Sequence, residues 1–163
     1  MKTKEENIQF LRDHVRNIYE KLTPEHIALW GRMDAQQMLE HLGLAIKVSS
    51  GKINVEVITP PDKVEKLKRI AVLSERPLPM GFQNPVLPET PIPYYFINFN
   101  EAKKALWEEL DFFFDYFTRE GDNHKRPHNV FGDLNYEEWL MFHYKHFMHH
   151  GAQFGLVEKT EKL

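Results

Sequence analysis

Four of the nine histidines in this sequence lie within eight residues of one another, at positions 143, 146, 149 and 150. His146 and His150 are four residues apart, so a helix would place them about 40° apart on one face. Two imidazoles at this spacing can bind one metal ion, as in the His-x-x-x-His motifs of metal sites. The spacing therefore predicts part of a divalent-metal site, and a further ligand must come from elsewhere.

The helix that would carry this pair has a clear start signal. Asn135 is a suitable N-cap, and Glu138, three residues later, can complete a capping box. Trp139 and Gln153 fall on the same side of the helix as His146, which predicts that the histidine face points into the protein. Gln153 is expected either to orient a ligand or a bound water by hydrogen bonding or to satisfy an interior polar group.

His41 is the best candidate for the third ligand. It lies in a predicted helix that has Asp34 as N-cap and Gln37 in the capping-box position. Met38 and Ala45 flank it on the apolar side, about 60° and about 40° away, so the imidazole is expected to face inward. Three neutral imidazoles can hold a divalent first-row metal and leave positions for water or substrate. The alternative is a hydrogen-bonded core histidine at 41 and a solvated histidine cluster on the last helix.

Two more amphipathic helices complete the pattern. The first is predicted over 3–22, and another begins after Asn98 or Asn100 and ends near Arg119. Four long helices with one long connection predict an all-α four-helix bundle. The wide apolar face of the third long helix is predicted to be core rather than a ligand-binding surface: Leu106, Leu110, Phe113, Phe114 and Phe117.

A long crossover joins the second and third of these helices. Residues 51–97 contain eight of the ten prolines, which predicts irregular, ordered chain with one short helix at about 62–74. Such a crossover is either a structural cover or the wall of a pocket. Residues 121–134 are predicted to link the third and fourth long helices, and His128 within them either borders the site or is a loop residue.

The composition is that of one ordinary globular domain over residues 1–163, with 42% hydrophobic and 28% charged residues. A net charge of −3 gives no basic surface for nucleic acid or anionic lipid. The absence of cysteine excludes disulfides, thiolate zinc sites and cysteine nucleophiles from this chain. Neither a secretion signal nor a membrane span is evident, so we expect a cytoplasmic protein. We expect its substrate to be a small molecule.

Two blocks of the sequence resemble the DinB/YfiT-like superfamily of small metalloenzymes. They are Trp30-Gly-Arg-Met-Asp-Ala-Gln-Gln-Met-Leu-Glu-His41-Leu and His146-Phe-Met-His-His150-Gly-Ala-Gln153-Phe-Gly155. The resemblance covers both ends of the bundle, whereas the proline-rich centre matches only loosely. It implies a DinB-like four-helix bundle, often dimeric, in which three histidines hold zinc, nickel or another divalent metal such as iron. By position, those ligands are His41, His146 and His150.

The resemblance also implies chemistry. Characterised members include transferases and isomerases that use low-molecular-weight thiols. We therefore expect a thiol-dependent transferase, and a metal-dependent hydrolase is the alternative enzyme. A metal-coordinated thiol is deprotonated, and metal-bound water can ionise near neutral pH. Two other classes stay open: a metal-binding stress or sensing protein without turnover, and an interaction bundle whose site is vestigial.

The chain departs from the pattern of the superfamily in one place. Many relatives carry an arginine between the paired histidines and the glutamine, where this chain has Gly151 and Ala152. His149 competes with His150 as a ligand, and the resemblance favours His150. His149 is otherwise expected beside the ligands, and His143 is expected there too or partly exposed.

The last helix is apolar nearly all round, which bears on oligomeric state. Either the rest of the chain or a second copy must cover its other faces, and a homodimer is the expectation. The residues concerned are Leu140, Met141, Phe147 and Met148.

Overall fold

The computed structural model describes residues 2–81 and 93–158. Within these ranges the chain is mostly helical, which confirms the helical class, and one small antiparallel sheet accompanies the helices. The elements in chain order are α1 (Lys4–Gln9), a π-helix (Phe10–His14), α2 (Val15–Tyr19), α3 (Ala35–Ser49), α4 (Pro61–Ala71), α5 (Phe99–Glu120), β1 (Arg126–His128), β2 (Gly132–Leu134) and α6 (Tyr136–Gln153).

The first three helical elements form one continuous run, which starts close to the predicted position. Thr3 caps it in a capping box with Glu6, whose carboxylate accepts from the Thr3 amide at 2.6 Å. The run ends at Tyr19 rather than at Leu22. A proline disfavours helical backbone at the residue before it, so Pro24 helps to keep the helix from continuing through Thr23.

Capping boxes also start the two helices that carry the candidate ligands. Asp34 accepts from the Gln37 amide at 2.9 Å, and the Gln37 side chain accepts from the Asp34 amide at 3.0 Å. Asn135 and Glu138 make the same reciprocal pair at 3.0 and 2.9 Å. Both predicted N-caps are confirmed, because these signals act over three residues and need no tertiary contact.

The core lies where α3 packs along α5 and where α6 packs against α3 and the first helical run. The five apolar residues of α5 that were predicted as core are all buried. Trp139 of α6 is fully buried as well, and its indole nitrogen donates to the Arg126 carbonyl at 3.2 Å. Within the described residues, no helix is long and apolar enough to cross a bilayer.

The short helix α4 is docked on α6. The Lys68 ammonium lies 3.0 Å from the Glu138 carboxylate, and both side chains are largely buried. Lys145 donates to the carbonyl of Ala71 at 2.7 Å, at the end of α4. The proline-rich segment is therefore an ordered cover on this side, as far as residue 81. Residues 82–92, on which the rest of the predicted cover or pocket wall falls, lie outside the described residues.

The predicted link between α5 and α6 contains a β-hairpin, which the sequence did not indicate. Its pairs are Arg126 with Leu134, Pro127 with Asp133 and His128 with Gly132. Each strand has only three residues, which is too short for an alternating pattern to signal a strand. The Nδ1 atom of His128 accepts from the amides of Val130 and Phe131 at 3.1 and 3.3 Å, so this histidine closes the hairpin turn.

Replacing Gly132 by alanine is expected to lower the free energy of unfolding by about 2–5 kcal/mol. Gly132 has a φ of +70°, and an added Cβ would lie 2.6 Å from Val64 Cγ1. The left-handed backbone costs a non-glycine residue about 1–2 kcal/mol, and overpacking adds about 1–3 kcal/mol. Urea unfolding measures the sum. Gly155→Ala is the control, since Gly155 has a φ of +69° and no atom of the described residues lies within 4 Å of its Cβ position. Equal losses in the two variants would contradict the Val64 contact.

Candidate metal centre

Three histidines from two helices meet inside the protein: His41 from α3, and His146 and His150 from α6. The Nε2 atom of His146 lies 2.8 Å from His41 Nε2 and 3.0 Å from His150 Nε2. One ligand atom from each ring lies within 4.8 Å of the other two. Nitrogens bound about 2.0–2.1 Å from one metal in a tetrahedral site lie about 3.3 Å apart, which is close to the 2.8 and 3.0 Å separations at His146. The three histidines could therefore hold a metal ion.

Hydrogen bonding assigns the tautomer of His150. Gln153 Nε2 donates to the Trp30 carbonyl at 2.8 Å, so Gln153 Oε1 is the acceptor that faces His150 Nδ1 at 2.6 Å. A facing acceptor requires His150 Nδ1 to carry the proton. In the neutral ring the Nε2 atom is then bare, and this is the atom that lies against His146 Nε2.

Hydrogen bonding alone cannot give the Nε2 atoms of His41, His146 and His150 a partner each. A ring nitrogen of a neutral imidazole either donates or accepts, and His146 Nε2 has two nitrogen neighbours. If His146 Nε2 is bare, it faces the bare Nε2 of His150; if it is protonated, one hydrogen must serve two neighbours. A divalent cation would accept all three lone pairs at once, so the donor set fits a metal.

Burial holds the three imidazoles in the neutral form that binds metals. His146 and His150 are 7% and 5% exposed, and burial, reinforced by neighbouring histidines, lowers the pKa of both well below the usual value. Burial lowers the pKa of His41 to about 4, and His149 adds to the effect. No proton needs to leave the three rings before a metal binds at neutral pH.

Gln153 lies beside the candidate ligands, as the sequence predicted, and its side chain links His150 to Trp30. The backbone carbonyl of Gln153 also accepts from the Leu29 amide at 2.8 Å, so hydrogen bonds hold the segment before α3 against the end of α6. Gly31 permits this approach: it has a φ of +83°, and a Cβ there would lie 2.6 Å from Gln153 Nε2. Sequence reasoning missed the roles of Trp30 and Gly31, although the Trp-Gly pair just before the His41 helix was visible.

His149 lies beside the three-histidine cluster and is not part of it. Its Nδ1 atom faces the Leu78 carbonyl at 3.3 Å, and its ring meets the ring of Trp30 edge-on at 5.9 Å. The centroids of the His149 and His150 rings are 5.0 Å apart. Leu78 thus brings the proline-rich segment to the edge of the site.

His143 is a core residue, so the expectation of partial exposure was wrong. It is 1% exposed, and its Nε2 atom lies 2.8 Å from Ser49 Oγ. The Ser49 hydroxyl donates to the Ile46 carbonyl, so it accepts from His143 Nε2–H. α6 is buried on nearly all sides, and a histidine one turn from the ligands therefore becomes part of the packing.

The chain itself covers most of the remaining apolar surface of α6. Leu140, Met141 and Phe147 are buried, and Met148 is half-buried against the core. The feature that suggested a homodimer is thus explained within one copy, and the homodimer stays a prediction.

Comparison with protein family models, with curated proteins and with solved structures finds no match. The fold and the site alone therefore define the class: a mostly helical protein with a buried three-histidine cluster that could hold a metal ion. Membership of the DinB/YfiT-like superfamily stays a prediction from the two sequence blocks.

Replacing Gln153 by leucine is expected to weaken metal binding about 10- to 100-fold, the usual effect of losing a hydrogen bond that orients a ligand histidine. The variant leaves His150 Nδ1–H without its acceptor. Competition with a chelator of known affinity measures the change. Gln36→Leu is the matched control, since Gln36 also donates to a backbone carbonyl, that of Phe96, but lies outside the cluster. Equal affinities in the two variants would show that Gln153 does not orient a ligand.

Proposed function

We propose that this protein is a metal-dependent enzyme that acts on a small molecule, with His41, His146 and His150 as the ligands of a zinc, nickel or iron ion. The convergence of the three Nε2 atoms carries the proposal. Helices α3 and α6 bring these atoms together, and no arrangement of protons satisfies them as well as a cation does.

The ligand shell leaves room for catalysis. Three protein ligands with open positions are typical of catalytic metal sites, whereas structural zinc sites are closed by four. His41 is half-buried whereas His146 and His150 are buried, so the cluster is more accessible on the α3 side. We place the substrate on that side.

Two reactions suit such a site: thiol-dependent transfer to an electrophile, and hydrolysis. When bound, a divalent ion would supply the acidity for either, because it deprotonates a coordinated thiol and lowers the pKa of water toward 7. The residues of this chain hold and orient the ion. His150 is fixed by Gln153, which in turn is fixed by Trp30.

The proposal includes a DinB-like four-helix bundle in the cytoplasm. The first helical run, α3, α5 and α6 would be its four helices, and the packing of α3 on α5 and of α6 on the first run supports this arrangement. The absence of cysteine is compatible with a reducing compartment such as the cytoplasm.

A metal-binding protein without turnover is the second candidate. It is favoured by the burial of His146 and His150 and by the lack of a carboxylate in the cluster among the described residues. Binding of a low-molecular-weight thiol distinguishes the enzyme from the metal-binding protein without turnover. The thiol binds the metal in a thiol-dependent transferase, whereas it does not bind a storage or sensing site whose coordination positions are already filled.

Elemental analysis and a turnover assay test the proposal on protein purified without a histidine tag. We expect about one metal per chain, as well as thiol transfer to an aromatic electrophile or hydrolysis of an activated ester, both lost in His41→Ala. Metal without turnover or thiol binding would favour the second candidate. A lack of metal even after reconstitution would overturn the metal-site proposal and favour an interaction bundle.

A further inference from the structure

The indole N–H of Trp30 is a buried donor that has no acceptor in the part of the chain that the structure describes. The side chain as a whole is only half-buried, so the ring has an exposed portion while its nitrogen is shielded from solvent. An indole N–H can only donate, and buried donors in native proteins nearly always have a partner. An acceptor on a bound molecule would complete this group.

Trp30 is connected to the candidate metal centre in two ways. Its carbonyl accepts from Gln153 Nε2 at 2.8 Å, and Gln153 Oε1 is the atom that faces His150 Nδ1 at 2.6 Å. Its ring also meets the ring of His149, which lies beside His150. The unpaired donor therefore belongs to a residue whose position is set by the same contacts that position a metal ligand.

A divalent ion bound by these three histidines would favour a negatively charged further ligand. All three candidate ligands are neutral imidazoles, and no carboxylate belongs to the cluster in the described ranges. Glu40, next to His41, uses its carboxylate to accept from the amides of Tyr95 and Phe96 at 2.8 and 3.0 Å. A divalent ion at this centre would leave its charge uncompensated in a largely buried position, which is unfavourable unless a counter-charge is bound.

We propose that the metal centre binds a small carboxylate as its exogenous ligand and that Trp30 positions this anion by donating its indole N–H to it. The inference rests on the proposed metal site and adds the class of ligand and a positioning residue. The ion would neutralise the carboxylate, and Trp30 would select for an acceptor oxygen over an apolar group.

The test uses the full chain loaded with cobalt(II), whose visible absorption reports its ligands, and acetate as the probe. Acetate is expected to change the wild-type spectrum in a saturable way. Trp30→Phe is expected to bind the same amount of cobalt and to bind acetate about 10-fold or more weakly, since it loses one hydrogen bond to a charged group. Trp107→Phe is the matched control, because Trp107 is half-buried against Phe147, whose ring centroid is 6.3 Å away, and lies outside the histidine cluster.

A second measurement does not depend on the folding of the Trp30 variant. The chain has three tryptophans, so NMR of the zinc-loaded protein resolves three indole N–H signals, and Trp107→Phe helps to assign them. The Trp30 signal is expected to move downfield with acetate while that of Trp139, which already donates to Arg126, stays in place.

Each outcome bears on a different claim. An unchanged cobalt spectrum with acetate would overturn the carboxylate site and leave the metal site standing. Equal acetate affinity in wild type and Trp30→Phe, or a static Trp30 signal, would overturn the role of Trp30. Failure of the wild type to bind cobalt would overturn the metal site and this inference together.

Discussion

His146→Ala is expected to lower the metal content of the protein from about one ion per chain to near none, with a dissociation constant raised more than about 100-fold. Among the three candidate ligands, His146 has the central nitrogen, since its Nε2 contacts both His41 and His150. Its loss leaves two nitrogens on different helices. Losing a residue that merely orients a ligand already costs 10- to 100-fold, so losing this ligand should cost more. Elemental analysis after equilibrium dialysis against zinc measures the change.

The control for this prediction is His14→Ala, which removes an exposed histidine of the first helical run. It should bind metal as the wild type does. If His146→Ala leaves a cavity that unfolds the protein, His41→Ala tests the same site from α3 at a half-buried position. Full metal content in either ligand variant would show that the ion binds elsewhere or that the three-histidine site is wrong.

The second large expected effect is a loss of folding stability at acidic pH. His128 and His143 are buried outside the candidate metal cluster, and burial lowers the pKa of each to about 3; the neighbouring His128 contributes to the shift of His143. In the unfolded chain their pKa is near 6.5. Between these values the unfolded state binds protons that the folded state does not, so stability falls as pH falls below about 6.5. The two groups should contribute a slope of about 3 kcal/mol per pH unit.

Urea unfolding of metal-free protein at about pH 5.5, 5 and 4.5, where the unfolded imidazoles are almost fully protonated, measures this slope. The informative variant is His143→Gln, whose amide can still donate to Ser49 Oγ but does not titrate. Its slope is expected to be shallower than that of the wild type by about 1.4 kcal/mol per pH unit. Parallel slopes would mean that His143 is charged in the folded protein or reaches solvent.

The sequence identified the helices of the site because their signals are local. The capping boxes at Asp34 and Asn135 each act across three residues and fixed the starts of α3 and α6. The spacing of His146 and His150 placed both on one face of α6 at a known helical period. His41 was found because it interrupts an apolar line.

The hairpin before α6 could not be predicted in the same way. Its strands have three residues each, and His128 closes the turn by accepting two backbone amides, so the polar residue that suggested a site is a structural one. His143 was misjudged for a related reason, since its burial depends on α3, whose Ser49 accepts its hydrogen bond across 94 residues of sequence.

The sequence by itself determined the helical class, the two helix starts and the inward-facing side of each helix that carries a candidate ligand, because each follows from residues within a few positions of one another. Only the tertiary structure decided how the site is held. It brought Gln153 between His150 and the Trp30 carbonyl, and it placed Gly31 where no side chain fits. The contacts of Gln153 with Trp30 and Gly31 join residues more than a hundred positions apart, and they depend on how α6 packs against the segment before α3, which no local pattern encodes.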